Sequence, residues 1–230
     1  MGKPNGLSSL LLVRMMIMEK NLEYLIRLNQ LAETVYANKF RIAVLLEGRD
    51  GAGKSGTIRE LTRYLPPYTH RVMPSFMPTK RMMKAWLAGW SKLMPKQGEI
   101  VFYDRSYYSR ALLQPVMGWC SENQYDNFMK KVIEWEQEQP ILFVKLWLSV
   151  DENKQRNLLK RRANDPLRYW KYSPNDEKAV SAFDKLTVKK EKMFELGGWN
   201  IIDMENRFAG RNQALKTVVE KIEQETSQIV

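Results

Sequence analysis

The chain is poor in the residues that covalent catalysis and disulfide stapling require: it has one cysteine, Cys120, and one histidine, His70, in 230 residues. A disulfide within the chain is therefore excluded, and a Cys/His zinc cluster lacks its ligands. A Ser-His-Asp or Cys-His nucleophile, or a phosphohistidine, would have to use His70, which stands in a stretch with no matching partner signal. Direct group transfer without a covalent enzyme intermediate is the expected chemistry. Long apolar runs are missing too, since nothing approaches the roughly twenty apolar residues that span a bilayer. Segment 7–18 is apolar but short, is interrupted by Arg14 and has no small-residue cleavage site. It reads as the start of a helix rather than a signal peptide. Gly6 stands where a myristoylation pattern needs Ser or Thr. A cytoplasmic protein with no membrane partner is the expectation. Acidic residues are locally absent as well. Between Glu60 and Glu99 there is none, against Arg63, Arg71, Lys80, Arg81, Lys84, Lys92 and Lys96.

Over the whole chain 37 Lys and Arg face 26 Asp and Glu, a formal charge of +11, which predicts a polyanionic partner. With 44% hydrophobic residues the chain can bury one good core. No repeat or low-complexity linker divides it, so 1–230 is expected to be one domain with an N-terminal helical extension over 1–38. Buried-strand candidates recur at 41–47, 69–73, 99–103, 141–149 and 199–204. Helical patterns lie at 54–65, 80–94, about 121–139, 151–163, 176–196 and about 208–226. This alternation predicts an α/β fold with a five-stranded parallel sheet and helices on both faces, its ligand beyond the carboxyl ends of the strands.

Residues Gly48-Arg49-Asp50-Gly51-Ala52-Gly53-Lys54-Ser55 form a complete G-x-x-x-x-G-K-[ST] phosphate loop. The apolar run Ile42-Ala43-Val44-Leu45-Leu46 precedes it and a helix pattern follows. The glycines let backbone N–H groups wrap an anion, the helix N-terminus adds its dipole, and Lys54 adds a movable charge. Ile100-Val101-Phe102-Tyr103 closes on Asp104, the place where such a site holds Mg²⁺ against phosphates; a helix cap is the plainer alternative. Asp50 is unusual, because a carboxylate inside a phosphate loop repels its ligand unless a cation stands between them. It is read as a second metal contact or a base, with an Asx turn as the alternative.

Lys80, Arg81 and Lys84, at i, i+1 and i+4, can line one edge of a polyanion groove or form a solvated basic face. A second cluster, Lys154, Arg156, Lys160, Arg161 and Arg162, follows the fourth strand and is read as an arginine-bearing lid, 151–175, that closes on phosphates and excludes water. Arg105 and Arg110 flank the Asp104 turn and can do the same from the other side.

Glu47–Gly56, Tyr103-Asp104-Arg105-Ser106-Tyr107-Tyr108-Ser109-Arg110, Val116-Met117-Gly118-Trp119-Cys120, Lys145-Leu146-Trp147-Leu148-Ser149 and the block from Asn164-Asp165-Pro166-Leu167 to Ser173-Pro174 together resemble the polyphosphate kinase 2 family. The resemblance runs from about 40 to about 205. It implies a P-loop kinase-like three-layer sandwich with a helical lid, and phosphoryl transfer between inorganic polyphosphate and a nucleoside phosphate with Mg²⁺, or Mn²⁺ in its place. It implies Asp50, Lys54 and Asp104 as the metal and phosphate centre, Arg105, Arg156 and Arg162 as phosphate contacts, and a homo-oligomer. The acid-free stretch then reads as the polyphosphate track. Tyr107 and Ser109 depart from the Trp and Asn usual in the family's single-domain, diphosphate-preferring group, at a position that bears on the acceptor. A nucleoside diphosphate is nevertheless the expected acceptor. Two other readings use the same residues: an ATP-dependent nucleoside-monophosphate kinase, and a nucleic-acid-binding P-loop protein. No nucleic-acid motif supports the second, so no nucleic-acid partner is expected.

Overall fold

The computed structural model describes residues 9–164, 166, 178 and 181–227. The first helix, α1 (Ser9–Ala37), leads into strand β1 (Arg41–Gly48) and helix α2 (Lys54–Leu61). Strand β2 (His70–Met73) is followed by two short helices, α3 (Lys80–Lys84) and α4 (Trp86–Ser91), and by β3 (Glu99–Asp104). A 3-10 turn (Tyr107–Arg110), α5 (Leu113–Val116) and α6 (Glu122–Gln137) precede β4 (Leu142–Ser149). The chain closes with α7 (Glu152–Ala163), α8 (Phe183–Phe194), β5 (Trp199–Asp203) and α9 (Arg207–Ser227).

The five strands form one sheet in the order β2-β3-β1-β4-β5, and every neighbouring pair is parallel. Parallel neighbours need crossovers, and the helices that supply them cover both faces. Ile42, Val44 and Leu46 of β1 point to a layer containing Leu28 and Val35 of α1, Ile58 of α2 and Val218 of α9. The alternate residues Ala43 and Leu45 point to Trp86 and Trp90 of α4, Val132 of α6 and Met193 of α8. Period-two alternation in β1 thus splits one apolar run between two cores, giving the expected three layers.

Three boundaries differ from those the pattern predicts. The helix expected over 54–65 stops at Leu61, where Pro66 and Pro67 follow a turn at 62–64; proline disfavours helical backbone before it. The single helix expected over 80–94 is two, broken at Ala85 (φ −122°, ψ 66°). Tertiary bonds hold the break: Arg110 Nη2 donates to the Met83 carbonyl at 2.9 Å and Trp86 Nε1 to the Tyr107 carbonyl at 2.9 Å. The 3-10 turn and α5 occupy a stretch read as loop. Of the expected helix at 176–196, α8 accounts for the described part from Phe183.

Candidate active site

The site sits at the carboxyl end of β1, the centre of the sheet, flanked by β3 and β4. Register places Leu46 opposite Asp104 on one side and Leu146 on the other, so the phosphate loop leaves β1 directly beside the end of β3. Two glycines are required by geometry. A Cβ on Gly48 would stand 2.6 Å from the Leu148 carbonyl oxygen, so only glycine lets the chain pass β4 there. Gly53, at φ 101°, takes the left-handed turn into α2, a conformation that costs other residues energy.

Lys54 opens α2 and lies buried beneath the loop, its Nζ donating to the carbonyls of Gly48 and Arg49 at 3.0 Å each. Burial, and then the neighbouring Arg105 charge, pull its pKa down to about 8, against the opposing pull of Asp50, Asp104 and Glu47. Ser55 donates its hydroxyl to Asp104 Oδ2 at 2.7 Å, which joins the loop to β3 at an exposed mouth. Arg105 Nη2 donates to Asp50 Oδ1 at 2.7 Å. Burial works against the Arg105 charge, yet Asp50 and Glu47 outweigh it and the guanidinium pKa is raised. The carboxylate that looked out of place in a phosphate loop therefore faces an arginine of the chain itself.

Arg49 turns away from the loop's interior. Its guanidinium stacks 3.5 Å from the centre of the Phe183 ring and donates to the Phe183 carbonyl at 3.1 Å and to Thr187 Oγ1 at 2.5 Å. Burial pulls its pKa down to about 10, which leaves it charged at neutral pH. Gly51 and Ala52 complete the loop. Gly51 packs under α7, and its carbonyl accepts from Arg207 Nη2 at 2.9 Å. The structure thus gathers Gly48, Arg49, Asp50, Gly51, Ala52, Gly53, Lys54, Ser55, Asp104 and Arg105 into one site.

The remaining candidates stand in other settings. Arg110 is 1% exposed; it donates to the Met83 carbonyl and lies 4.7 Å from the Trp86 ring, tying the Asp104 turn to α3. Burial lowers its pKa, with the Cys120 thiol as a counteracting neighbour. Lys80, Arg81 and Lys84 are exposed on α3, whose N-cap Thr79 accepts from the Met82 amide. On α7, Arg156 bonds Glu152 one turn earlier and Arg161 is exposed. The Arg162 side chain and most of 165–180, including Trp170 and Tyr172, lie outside the described residues.

The sequence reading assigned no role to four groups. Glu47 is fully buried and accepts from Ser106. Lys145 and Glu136 form a buried ion pair at 2.5 Å, and the Tyr107 and Tyr108 hydroxyls donate to the same carboxylate at 2.7 and 2.8 Å. Arg207 caps Gly51, and a Cβ on Gly56 would stand 2.7 Å from Arg211 Nη2. The signals were present: charges inside apolar strands, at Glu47 and Lys145, and arginines four apart opening the last helix. Among the described residues no cluster of three or more His, Cys, Asp or Glu side chains is placed to hold a metal. The Asp104 carboxylate with the Ser55 hydroxyl is a hard oxygen pair that suits a cation completing its shell with water and phosphate oxygens. No helix among the described residues is long and apolar enough to cross a membrane.

The family model described as polyphosphate kinase 2 matches residues 16–229. A GDP-polyphosphate phosphotransferase of Mycolicibacterium smegmatis is 33% identical over 207 residues, covering 86% of this chain and 73% of that protein. A GDP-polyphosphate phosphotransferase of Pseudomonas aeruginosa is 39% identical over 158 residues, 67% of this chain. An NDP-polyphosphate phosphotransferase of Ruegeria pomeroyi matches with the same identity and span. The chain spans 44% and 46% of the lengths of the latter two. The crystal structure of polyphosphate kinase 2 from Arthrobacter aurescens TC1 superposes with a TM-score of 0.80 at 22% identity, over 90% of this chain and 77% of that one. At that identity it bears on the fold.

Proposed function

The chain belongs to the polyphosphate kinase 2 family, and on that footing we propose that it is a polyphosphate-dependent nucleotide kinase acting on nucleoside diphosphates. The observation that carries the reading is the join of Lys54, Ser55, Asp104 and Arg105 at the end of the central strands, in a chain with one histidine and one cysteine. An oxygen of the diphosphate's terminal phosphate attacks the end phosphorus of polyphosphate. The bond to the chain's bridging oxygen breaks, and polyphosphate leaves one unit shorter. Such transfer is governed by positioning and charge neutralisation rather than by a nucleophilic side chain.

In this reading the loop amides and Lys54 hold the phosphates, and Arg105 absorbs charge that develops during transfer. Asp104, with the Ser55 hydroxyl and with Asp50 nearby in the loop, would hold Mg²⁺, with Mn²⁺ as a substitute, and the cation would supply neutralisation of phosphate charge. Arg156, Arg161 and Arg162 belong to a lid over 151–175 that closes on the phosphates, and Arg110 supports the turn from beneath. Lys80, Arg81 and Lys84 guide the polyphosphate chain toward the loop. A homo-oligomer in the cytoplasm completes the proposal.

The test is ATP formation from ADP, long-chain polyphosphate and Mg²⁺, read by luciferase, beside Lys54→Ala and Asp104→Asn. ATP that requires polyphosphate and disappears in both variants supports the reading. Robust transfer from ATP to a nucleoside monophosphate, with none from polyphosphate, refutes it.

A further inference from the structure

Glu47 ends the apolar run of β1, where its side chain is fully buried. Its Oε1 accepts from the Ser106 backbone N–H at 2.7 Å and from the Ser106 hydroxyl at 2.8 Å, while Oε2 is buried without a hydrogen-bond partner. Burying a carboxylate with one oxygen unmet is expensive unless nearby positive charge offsets it. Burial pushes the Glu47 pKa upward, and Arg105, the Ser106 bonds and Lys54 pull against it. The carboxylate thus lies at the end of β1, directly before the phosphate loop, tied to the residue after Arg105.

The backbone on the other side is strained. Arg105 has φ 68°, the left-handed region that a residue with a side chain occupies only when its surroundings enforce it. Two consecutive amides enforce it here: Arg105 N–H donates to the Leu46 carbonyl at 3.1 Å, and Ser106 N–H donates to Glu47. The first extends the β1–β3 ladder one step past its last register pair. The second goes to a side chain of β1 instead of a strand carbonyl, at the point where the chain leaves the sheet. The same turn carries the Arg105 guanidinium across to Asp50. Glu47 has no exposed atom with which to touch a substrate.

We propose that Glu47 is a positioning residue for phosphoryl transfer: by pinning Ser106 it holds Arg105 in its left-handed turn, with the guanidinium beside Asp50 at the phosphate loop. The proposal rests on the kinase reading above. It adds a role for the residue immediately before the loop, acting through Arg105 rather than on phosphate.

Glu47→Gln preserves size but weakens the pin: both Ser106 bonds lose their charge-assisted acceptor, and an NH2 donor replaces Oε2 near the cations Arg105 and Lys54. Because a displacement of an ångström at a transfer site costs on the order of 100-fold, kcat is expected to fall by about that factor. KM for ADP and polyphosphate should stay within about threefold, since Glu47 contributes nothing to binding that is uniform along the reaction. In an Arg105→Ala background the same substitution should change kcat by less than about threefold, as expected when one residue acts through the other. The arginine side-chain Nε–H signal in a nitrogen-15 spectrum, assigned by its loss in Arg105→Lys, should shift or broaden in Glu47→Gln. An unchanged kcat with an unchanged Arg105 signal overturns the proposal, and so does an equal loss in both backgrounds, which marks general destabilisation. If Glu47→Gln does not fold, Glu47→Asp, which draws the carboxylate one methylene back from the Ser106 amide, decides by the same readings: a kcat-selective loss with a moved Arg105 signal supports the proposal, and wild-type values overturn it. A wild-type enzyme inactive with polyphosphate refutes the kinase reading instead, while the Arg105 signal still reports whether Glu47 holds the turn.

Discussion

Replacing Lys145 by Met tests whether the buried charge pair behind the Asp104 turn holds the domain together. Lys145 and Glu136 side chains are 7% and 8% exposed, and Nζ lies 2.5 Å from Oε2. Lys145 also donates to the Tyr108 hydroxyl at 2.9 Å. Methionine fills most of the lysine stem's volume, so the dominant loss is electrostatic and no large cavity opens. Removing one partner of a buried pair strands the other and typically costs about 3–5 kcal/mol. Here the Tyr107 and Tyr108 hydroxyls still donate to the carboxylate. Burial first, and then Glu136, push both phenol pKa values upward, so they remain protonated donors. The lower end, about 3 kcal/mol, is therefore expected. For a domain of this size that corresponds to a Tm lower by roughly 6–12 °C. The assay is urea unfolding followed by tryptophan fluorescence and circular dichroism. The double variant Lys145→Met/Glu136→Gln keeps an acceptor for both tyrosines and removes the stranded charge, so it should recover about 2 kcal/mol of the single variant's loss. A Lys145→Met cost below about 1 kcal/mol, or a double variant whose cost is the sum of the two singles, refutes the reasoning.

The pKa of Lys54 sets a pH dependence. Its folded value of about 8 lies below its ordinary 10.5 because burial, then Arg105, disfavours the charge. The unfolded chain therefore holds the extra proton between those values, and ligand-free stability gains a contribution that rises with pH from about 8 to 10.5. The difference in unfolding free energy between wild type and Lys54→Met across that window should show the rise; a flat difference refutes it. The same deprotonation removes the charge that the proposed mechanism sets against phosphate, so KM for polyphosphate should climb above about pH 8. Gly53→Ala forces a side chain to φ 101° with Met204 Cε 3.1 Å away. It should cost about 1–3 kcal/mol and raise KM for polyphosphate, checked by thermal unfolding and steady-state kinetics; an unchanged Tm contradicts the strain assigned to the loop.

The sheet was legible because each strand candidate is a short apolar run between helical patterns, and the phosphate loop was legible because its residue spacing is local. Asp104 followed from the same logic, as the polar residue that ends an apolar strand. The kink at Ala85 was not legible. It is held by Arg110 and Trp86 bonding carbonyls 27 and 21 residues away, and no local pattern in 80–94 records such partners. Strand order was hidden for the same reason, since alternation of strand and helix permits several orders and only the packing of both faces selects β2-β3-β1-β4-β5. Arg49 shows a subtler limit. A basic residue in a phosphate loop invites a phosphate role, yet its position in the loop turns it outward to Phe183 and Thr187.

Glu47, Glu136 and Lys145 mark where such reading has most to gain. Glu47 and Lys145 are ionisable residues in otherwise apolar strands and Glu136 is one on the buried face of α6, and a charge that survives burial must have a partner. Sequence reading treats such residues as interruptions of a hydrophobic pattern and passes over them. In the fold two of them, Glu47 and Glu136, are the acceptors on which the residues after Asp104 are hung: Ser106 on Glu47, and Tyr107 and Tyr108 on Glu136. Lys145 pairs with the second carboxylate, while Arg105 and Lys54 pull against the burial that raises the pKa of the first. A left-handed arginine whose following amide is held by Glu47 and whose guanidinium is held by Asp50 is over-determined by its surroundings, the condition under which strained backbone persists. The apolar strands fix where the site lies; Glu47, through Ser106, fixes which way Arg105 points.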